Sequence, residues 1–64
     1  MSKLNIYITE YVDGTLCLEP KHMHYTFRED LNYDNVEADE LLGVMKEITE
    51  KLRKESLQAV FKFM

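Results

Sequence analysis

An Asp-Gly pair at positions 13 and 14 separates two segments of alternating apolar and polar residues, and it constrains the fold more than any other feature. Residues 4–8 read Leu-Asn-Ile-Tyr-Ile, and residues 16–18 repeat the alternation as Leu-Cys-Leu. Alternation with a period of two is typical of half-buried strands. Asp-Gly between two such strands is typical of a hairpin turn, so we expect an N-terminal β-hairpin.

The length of the hairpin loop decides which faces the side chains occupy. A two-residue loop would pair Val12 with Thr15 and turn the aliphatic residues of the two strands to opposite faces. A three-residue loop over 12–14 pairs Ile8 with Leu18 and puts these aliphatic residues on one face. Because a one-residue slip flips every side chain, burial selects the longer loop. Glycine in its third position suits the left-handed backbone that this turn requires.

A third alternating segment, Met-His-Tyr-Thr-Phe at 23–27, predicts a third strand. Pro20 suits the second position of a turn over 19–22, which pairs Leu18 with Met23 in an antiparallel meander. The predicted inner face of the sheet consists of Leu4, Ile6, Ile8, Leu16, Leu18, Met23, Tyr25 and Phe27.

A long helix is predicted after a polar loop over 28–33. Asp34 is the expected N-cap, with Glu37 completing a capping box, and the helix is expected to end near Ser56. Acidic residues in its first turns and basic residues in its last match the helix dipole. Its buried stripe is predicted at Leu41, Met45, Ile48 and Leu52, with Leu42 and Thr49 alongside.

Residues 57–64 could extend this helix, but alternation and strand propensity over 59–63 favour a fourth strand. The predicted fold class is α+β: a three-stranded antiparallel β-meander packed on one long C-terminal helix, βββα or βββαβ, in a single domain over 1–64. This order of elements resembles that of small HicB-like antitoxin domains, which cover a β-meander with one helix. The resemblance implies a fold only, since function is not determined by fold.

Size and charge limit the classes of function. A 64-residue chain with one cysteine has no internal disulfide, and small domains without such staples often oligomerise; a homodimer is therefore expected. The sequence shows neither a membrane-spanning apolar run nor a secretory signal, so we expect a cytoplasmic protein without a membrane partner. The net charge of −4 disfavours direct binding to nucleic acid.

Four residues of the predicted outer sheet face are weak candidates for a metal site: Cys17, Glu19, His22 and His24. They lack the ligand spacing of known zinc motifs, so an ordinary exposed face is preferred, with neither metal nor cofactor. A Cys17–His24 nucleophile would also need an orienting group, an oxyanion site and a cleft. We therefore expect no enzymatic activity.

The remaining hypotheses concern protein partners. The first is a non-catalytic protein–protein interaction or regulatory module of the kind found among small bacterial or phage accessory proteins, binding itself and an unknown protein. Its expected contact residues are Tyr7, Tyr11, Cys17 and His24 on the outer sheet face, and Val60, Phe61 and Phe63 in the tail.

The alternative is an acidic inhibitor, of a type carried by phages and mobile elements, that occupies the basic nucleic-acid-binding surface of a target protein. It would use the carboxylates around the predicted loop and helix start: Glu29, Asp30, Asp34, Glu37, Asp39 and Glu40.

Overall fold

The structure, a computed structural model, describes residues 2–20 and 28–64. Within these ranges the chain forms one mixed four-stranded sheet and one α-helix. The elements are β1 (Ser2–Glu10), β2 (Leu16–Pro20), a 3-10 turn (Glu29–Leu31), β3 (Tyr33–Val36), a second 3-10 turn (Ala38–Glu40), α1 (Leu41–Arg53) and β4 (Leu57–Phe63). The strand order across the sheet is β3-β2-β1-β4, so β3 and β4 form its two edges.

The N-terminal hairpin has the predicted three-residue register. Ile8 pairs with Leu18, and the Tyr11 amide donates to the Thr15 carbonyl at 2.8 Å. Gly14 has φ +88°, the left-handed conformation that glycine adopts without a Cβ clash. The Asp13 carboxylate accepts the Thr15 amide at 3.0 Å and its hydroxyl at 2.7 Å, which closes the loop.

The outer side of β2 is paired with β3, a strand that the sequence did not predict. Leu16 pairs with Val36 and Leu18 with Tyr33, with an irregularity between the two pairs. The predicted strand at 23–27 lies outside the described residues, as does its turn at 19–22 apart from Glu19 and Pro20 in β2. The predicted pairing of Leu18 with Met23 is wrong, because Leu18 pairs with Ile8 on one side and with Tyr33 on the other. The predicted loop over 28–33 is only partly right, because Tyr33 already belongs to the sheet.

The prediction that Asp34 caps the helix is wrong, because Asp34 lies within β3. The capping box lies three residues later: the Glu37 amide donates to the Glu40 carboxylate at 3.1 Å, and the Glu37 side chain accepts a backbone amide in return. This later start buries Val36 in the sheet, which leaves it 5% exposed.

Helix α1 uses most of the predicted apolar stripe. Ile48 and Leu52 are fully buried, and Leu41 and Met45 pack partly against the core. Leu42, expected beside the stripe, is instead 79% exposed. The helix ends at Arg53, and Ser56, with φ +60°, reverses the chain into β4.

The predicted fourth strand is present, but it is parallel to β1 instead of extending an antiparallel meander. Because β3 and β1 are each antiparallel to β2, they run in the same direction. We infer that α1 returns the chain across the sheet, so β4 starts at the same end as β1 and runs alongside it. The pairing is regular from Ser2–Leu57 to Ile8–Phe63.

One hydrophobic core lies between α1 and the sheet. Its buried side chains are Leu4, Ile6, Ile8, Leu18, Leu31, Val36, Ile48 and Leu52. Each such aliphatic side chain contributes about 1.5–3 kcal/mol on burial, so the core holds both the central strand β1 and the helix. Among the described residues, no helix is long and apolar enough to cross a membrane.

Candidate interaction surfaces

The free edge of β4 presents backbone groups that its own sheet does not use. The Met64 amide donates to the Ile8 carbonyl at 2.9 Å, so even-numbered residues in this register direct their N–H and C=O groups to β1. The odd-numbered residues therefore direct theirs away from the sheet. We call this the β4 edge; its residues are Leu57, Ala59, Phe61 and Phe63.

A groove of about 260 Å³ runs between this edge and the helix. Its walls are Thr49 and Arg53 of α1 and Leu57, Gln58 and Ala59 of β4. Gln58 points to the opposite face of the strand from its two neighbours, so a groove that touches all three includes the free side of β4. We call it the edge groove.

The tail residues expected to contact a partner differ in exposure. Phe61 is half-buried and packs against the core, whereas Phe63, on the same face of β4, is 69% exposed. Val60 is half-buried on the opposite face, where it pairs with Asn5. The apolar surface offered by the tail is therefore concentrated at Phe63 and Met64, at the opposite end of β4 from the edge groove.

The outer sheet face, opposite α1, carries the other predicted contact residues. Tyr7 is half-buried at its centre, between Glu19 of β2 and Lys62 of β4. Cys17 is half-buried and pairs with Thr9. This face combines an aromatic ring with polar neighbours, unlike the aliphatic face beneath the helix.

Tyr11 lies just beyond β1 and is 41% exposed. Hydrogen bonding to the Cys17 side chain, and then to the Asp34 carboxylate, raises the pKa of its hydroxyl above the ordinary value of 10.0. Ionisation is disfavoured because a phenolate would lie beside two groups that can carry negative charge. Tyr11 therefore remains a neutral hydrogen-bonding group that spans the ends of β1, β2 and β3.

The weak metal-site candidates are only partly described. Cys17 and Glu19 lie two residues apart on the outer sheet face. His22 and His24 lie outside the described residues, so the structure does not test the predicted neighbourhood of Cys17 and His24. Across 2–20 and 28–64, no group of three or more His, Cys, Asp or Glu side chains is placed to hold a metal ion.

The β3 side of the molecule is joined to α1 by polar contacts. The Tyr33 hydroxyl donates to Glu47 at 3.0 Å, and the Lys51 ammonium donates to the same hydroxyl at 2.8 Å and to the Asp30 carbonyl at 2.7 Å. Lys51 also lies 5.1 Å from the centre of the Tyr33 ring, a cation–π distance. These contacts hold a short strand that has few pairing residues of its own.

Arg28 connects this side to the turn before β4. Its guanidinium donates two hydrogen bonds to Asp30, at 2.8 and 2.9 Å, and two to Glu55, at 2.7 and 2.9 Å. The Arg28 partner holds the pKa of both carboxyls below their ordinary range. Both pairs are bidentate, the geometry that makes arginine–carboxylate contacts specific.

The acidic residues named as a possible inhibitor surface surround β3 and the start of α1. Glu29, Asp30, Asp34, Glu37, Asp39 and Glu40 are all exposed. Near the β4 edge the described side chains include the cations Arg53 and Lys62. The molecule is therefore acidic at one edge of the sheet and carries positive charge at the other.

Comparison of the chain with protein-family models, with curated proteins and with solved structures finds no match. Sequence reasoning missed the edge groove, because its walls come from both α1 and β4 and depend on where β4 lies against the helix. The strand propensity of 59–63 was the one available signal.

Proposed function

We propose that this chain is a small non-catalytic protein–protein interaction or regulatory module that works as a homodimer. The observation that carries the proposal is the β4 edge, a regular seven-residue strand whose outward backbone groups have no partner among the described residues. An uncovered strand of this kind is a template for pairing with another chain.

Two further features support self-association. A domain of this size buries only about 60% of the surface that its unfolded chain exposes, so additional burial between copies adds stability that its own core cannot supply. Phe63, at the end of the β4 edge, and the following Met64 are 69% and 75% exposed, and contiguous exposed apolar side chains are typical of a contact site.

The test is the molar mass in solution, measured by light scattering with a chelator present, for the wild type and the F63E variant. We expect a dimer for the wild type and a monomer for F63E, because the new carboxylate would be buried at the contact. Phe63 is too exposed for this change to unfold the chain, which circular dichroism would verify.

The V12E variant is the matched control. Val12 is fully exposed at the tip of the β1–β2 hairpin, away from β4, and it receives the same charge. V12E should keep the dimeric mass. A monomeric wild type, or equal masses for wild type and F63E, would refute the proposed role of β4.

The second candidate function is the acidic inhibitor of a basic nucleic-acid-binding surface. Its support is the exposure of all six carboxylates around β3 and the start of α1. The carboxylates on and after β3, from Asp34 to Glu40, follow the edge of the sheet opposite β4, so a homodimer through β4 would leave them accessible. Each copy of the module would then present one acidic face.

Salt dependence separates this candidate from the first. A complex held by exposed charges should weaken steeply between about 50 and 200 mM salt, because the Debye length shortens. An E37Q/D39N double variant should weaken such a complex while leaving the homodimer intact. A partner that binds both forms equally at every salt concentration would exclude the acidic surface as its contact.

A further inference from the structure

We infer that the homodimer forms by antiparallel pairing of β4 with β4 of a second copy, centred on Val60, with Phe63 of each copy entering the edge groove of the other. This inference rests on the proposed function and specifies its contact. It follows from the direction of the backbone groups, the number of residues that can pair, and the position of the groove.

The direction of the backbone groups restricts the register. In an antiparallel pair, directly opposite residues either exchange both hydrogen bonds or exchange none. The groups on the free side belong to the odd-numbered residues of β4. Odd residues must therefore lie opposite odd residues, which excludes every register that sets an odd residue against an even one.

Among the registers that remain, the one centred on Val60 pairs the whole strand. Ala59 lies opposite Phe61 of the second copy, and Leu57 lies opposite Phe63, so all four residues of the β4 edge exchange hydrogen bonds. A shift of the centre to Ala59 or Phe61 leaves one end of the seven-residue strand unpaired. Maximum hydrogen bonding therefore selects Val60.

The charges on β4 are compatible with this register. Lys62 is the only charged residue between Leu57 and Phe63, and it lies opposite the neutral Gln58 of the second copy. Parallel pairing of the two strands in register would instead set Lys62 beside Lys62, and like charges directly opposite are destabilising.

The same register brings Phe63 to the groove. Leu57, the residue opposite Phe63 of the second copy, forms one wall of the edge groove, and Arg53 forms another. Phe63 and Leu57 lie on the helix side of the sheet, so the ring enters between β4 and α1. There it loses its exposure and lies close to the Arg53 guanidinium, a favourable cation–π arrangement.

Two copies related in this way share one continuous sheet with both helices on the same face. The contact is isologous, since each copy contributes the same strand and the same groove to a closed two-fold dimer. Neither the acidic residues around β3 nor Tyr11 is part of it.

Single cysteines test the register directly, in a C17S background that removes the native thiol. Opposite residues of a non-hydrogen-bonded pair have Cα atoms about 4.5 Å apart, within the range for a disulfide. Val60 faces its own copy in such a pair, so V60C should form a disulfide-linked dimer by itself on mild oxidation.

Q58C and K62C are matched controls, because Gln58 lies opposite Lys62 and not opposite itself. Each is separated from its own copy by four residues of strand, about 14 Å. Neither should cross-link alone, but a mixture of the two should cross-link readily as a heterodimer. Circular dichroism and light scattering under reducing conditions verify that every variant is folded and dimeric.

The outcomes separate this inference from the proposed function. Self-cross-linking by V60C, with cross-linking of Q58C and K62C only in the mixture, supports the register. If the protein has a dimeric mass but Q58C or K62C cross-links alone, or V60C does not, the register is wrong and the homodimer is still supported. A monomeric mass for the wild type overturns both.

Discussion

The two edges of the sheet are built in opposite ways. β3 has four residues, an irregular pairing with β2 and a left-handed residue, Asn35, at φ +53°; a 3-10 turn lies close to each of its ends. β4 has seven residues and pairs with β1 without a break. Short, bulged edges resist pairing with other chains, whereas long regular edges invite it.

The edges also differ in how they are attached to the helix. β3 is joined to α1 through the polar contacts of Tyr33 with Glu47 and Lys51. β4 instead packs Leu57, Ala59 and Phe61 against the core. Both edges place apolar side chains against the core, Val36 in β3 among them. Only β4 has the length and regularity that strand addition needs, and this is why β4 and not β3 carries the proposed contact.

The largest effect on stability is expected from proline substitutions at two adjacent residues of β4, whose N–H groups point to opposite sides of the strand. The Val60 N–H points to β1, so V60P removes a hydrogen bond inside the sheet. The carbonyl left unpaired on β1 should lower the free energy of unfolding by about 3 kcal/mol. The Ala59 N–H points to the free side, so A59P should cost about 1 kcal/mol or less. Urea unfolding of dilute protein measures both.

A59P should nevertheless abolish the dimer seen by light scattering, because it deletes a donor that the second copy uses. Equal costs for the two prolines in urea would show that the assigned direction of the β4 backbone groups is wrong. A dimeric A59P would show that this edge is not the contact.

An intermediate effect is expected at the irregular β3 edge. A β-branched residue is strained at φ +53°, so N35V should lower the free energy of unfolding by about 2 kcal/mol. N35G should stay within about 0.5 kcal/mol of the wild type, because glycine tolerates this backbone. Thermal unfolding of the N35V and N35G variants measures both changes. If N35V were as stable as the wild type, β3 could adopt a regular strand conformation, and its irregular backbone would not prevent pairing with another chain.

The parts of the fold that follow local rules were predictable from the sequence. The β1–β2 register follows from alternation and one glycine, since only one loop length buries Ile8 and Leu18 together. The spacing of Ile48 and Leu52 marks the buried face of α1, and the propensity of 59–63 indicates a strand.

The features of the fold that depend on pairing between distant segments, β3 and the direction of β4, were not predictable from local sequence patterns. Tyr33 and Val36 are separated by polar residues that mimic a loop and a helix cap, and they form a strand only because β2 offers them a partner. Asp34 and Glu37 have the spacing of a capping box, as do Glu37 and Glu40, and burial of Val36 decides between them. The parallel direction of β4, and with it the edge groove, depends on the path of the whole chain.

The smallest effect is expected at Arg28, which ties the segment before β3 to the turn before β4. The Arg28 guanidinium lowers the pKa of Asp30 and Glu55 below their ordinary values of 3.8 and 4.5. Their contribution to stability is therefore present above those values and is lost as the pH falls below about 4. Because the two carboxylates are 50% and 41% exposed, solvent screening limits the total to about 1 kcal/mol.

R28Q should remove this contribution at pH 7 and flatten the loss of stability between pH 6 and pH 3, as measured by urea unfolding. Some loss should remain in R28Q, because the hydroxyl and the amide of Thr15 also lower the pKa of Asp13. A further T15A change, which deletes the hydroxyl and keeps the amide, should reduce that remainder without abolishing it. The dimer should be unaffected, since Arg28 and Glu55 lie outside the β4 edge. If R28Q kept the full pH dependence, the contacts of Arg28 with Asp30 and Glu55 would contribute nothing to folding, and strand pairing with packing against α1 would account for the stability of both edges.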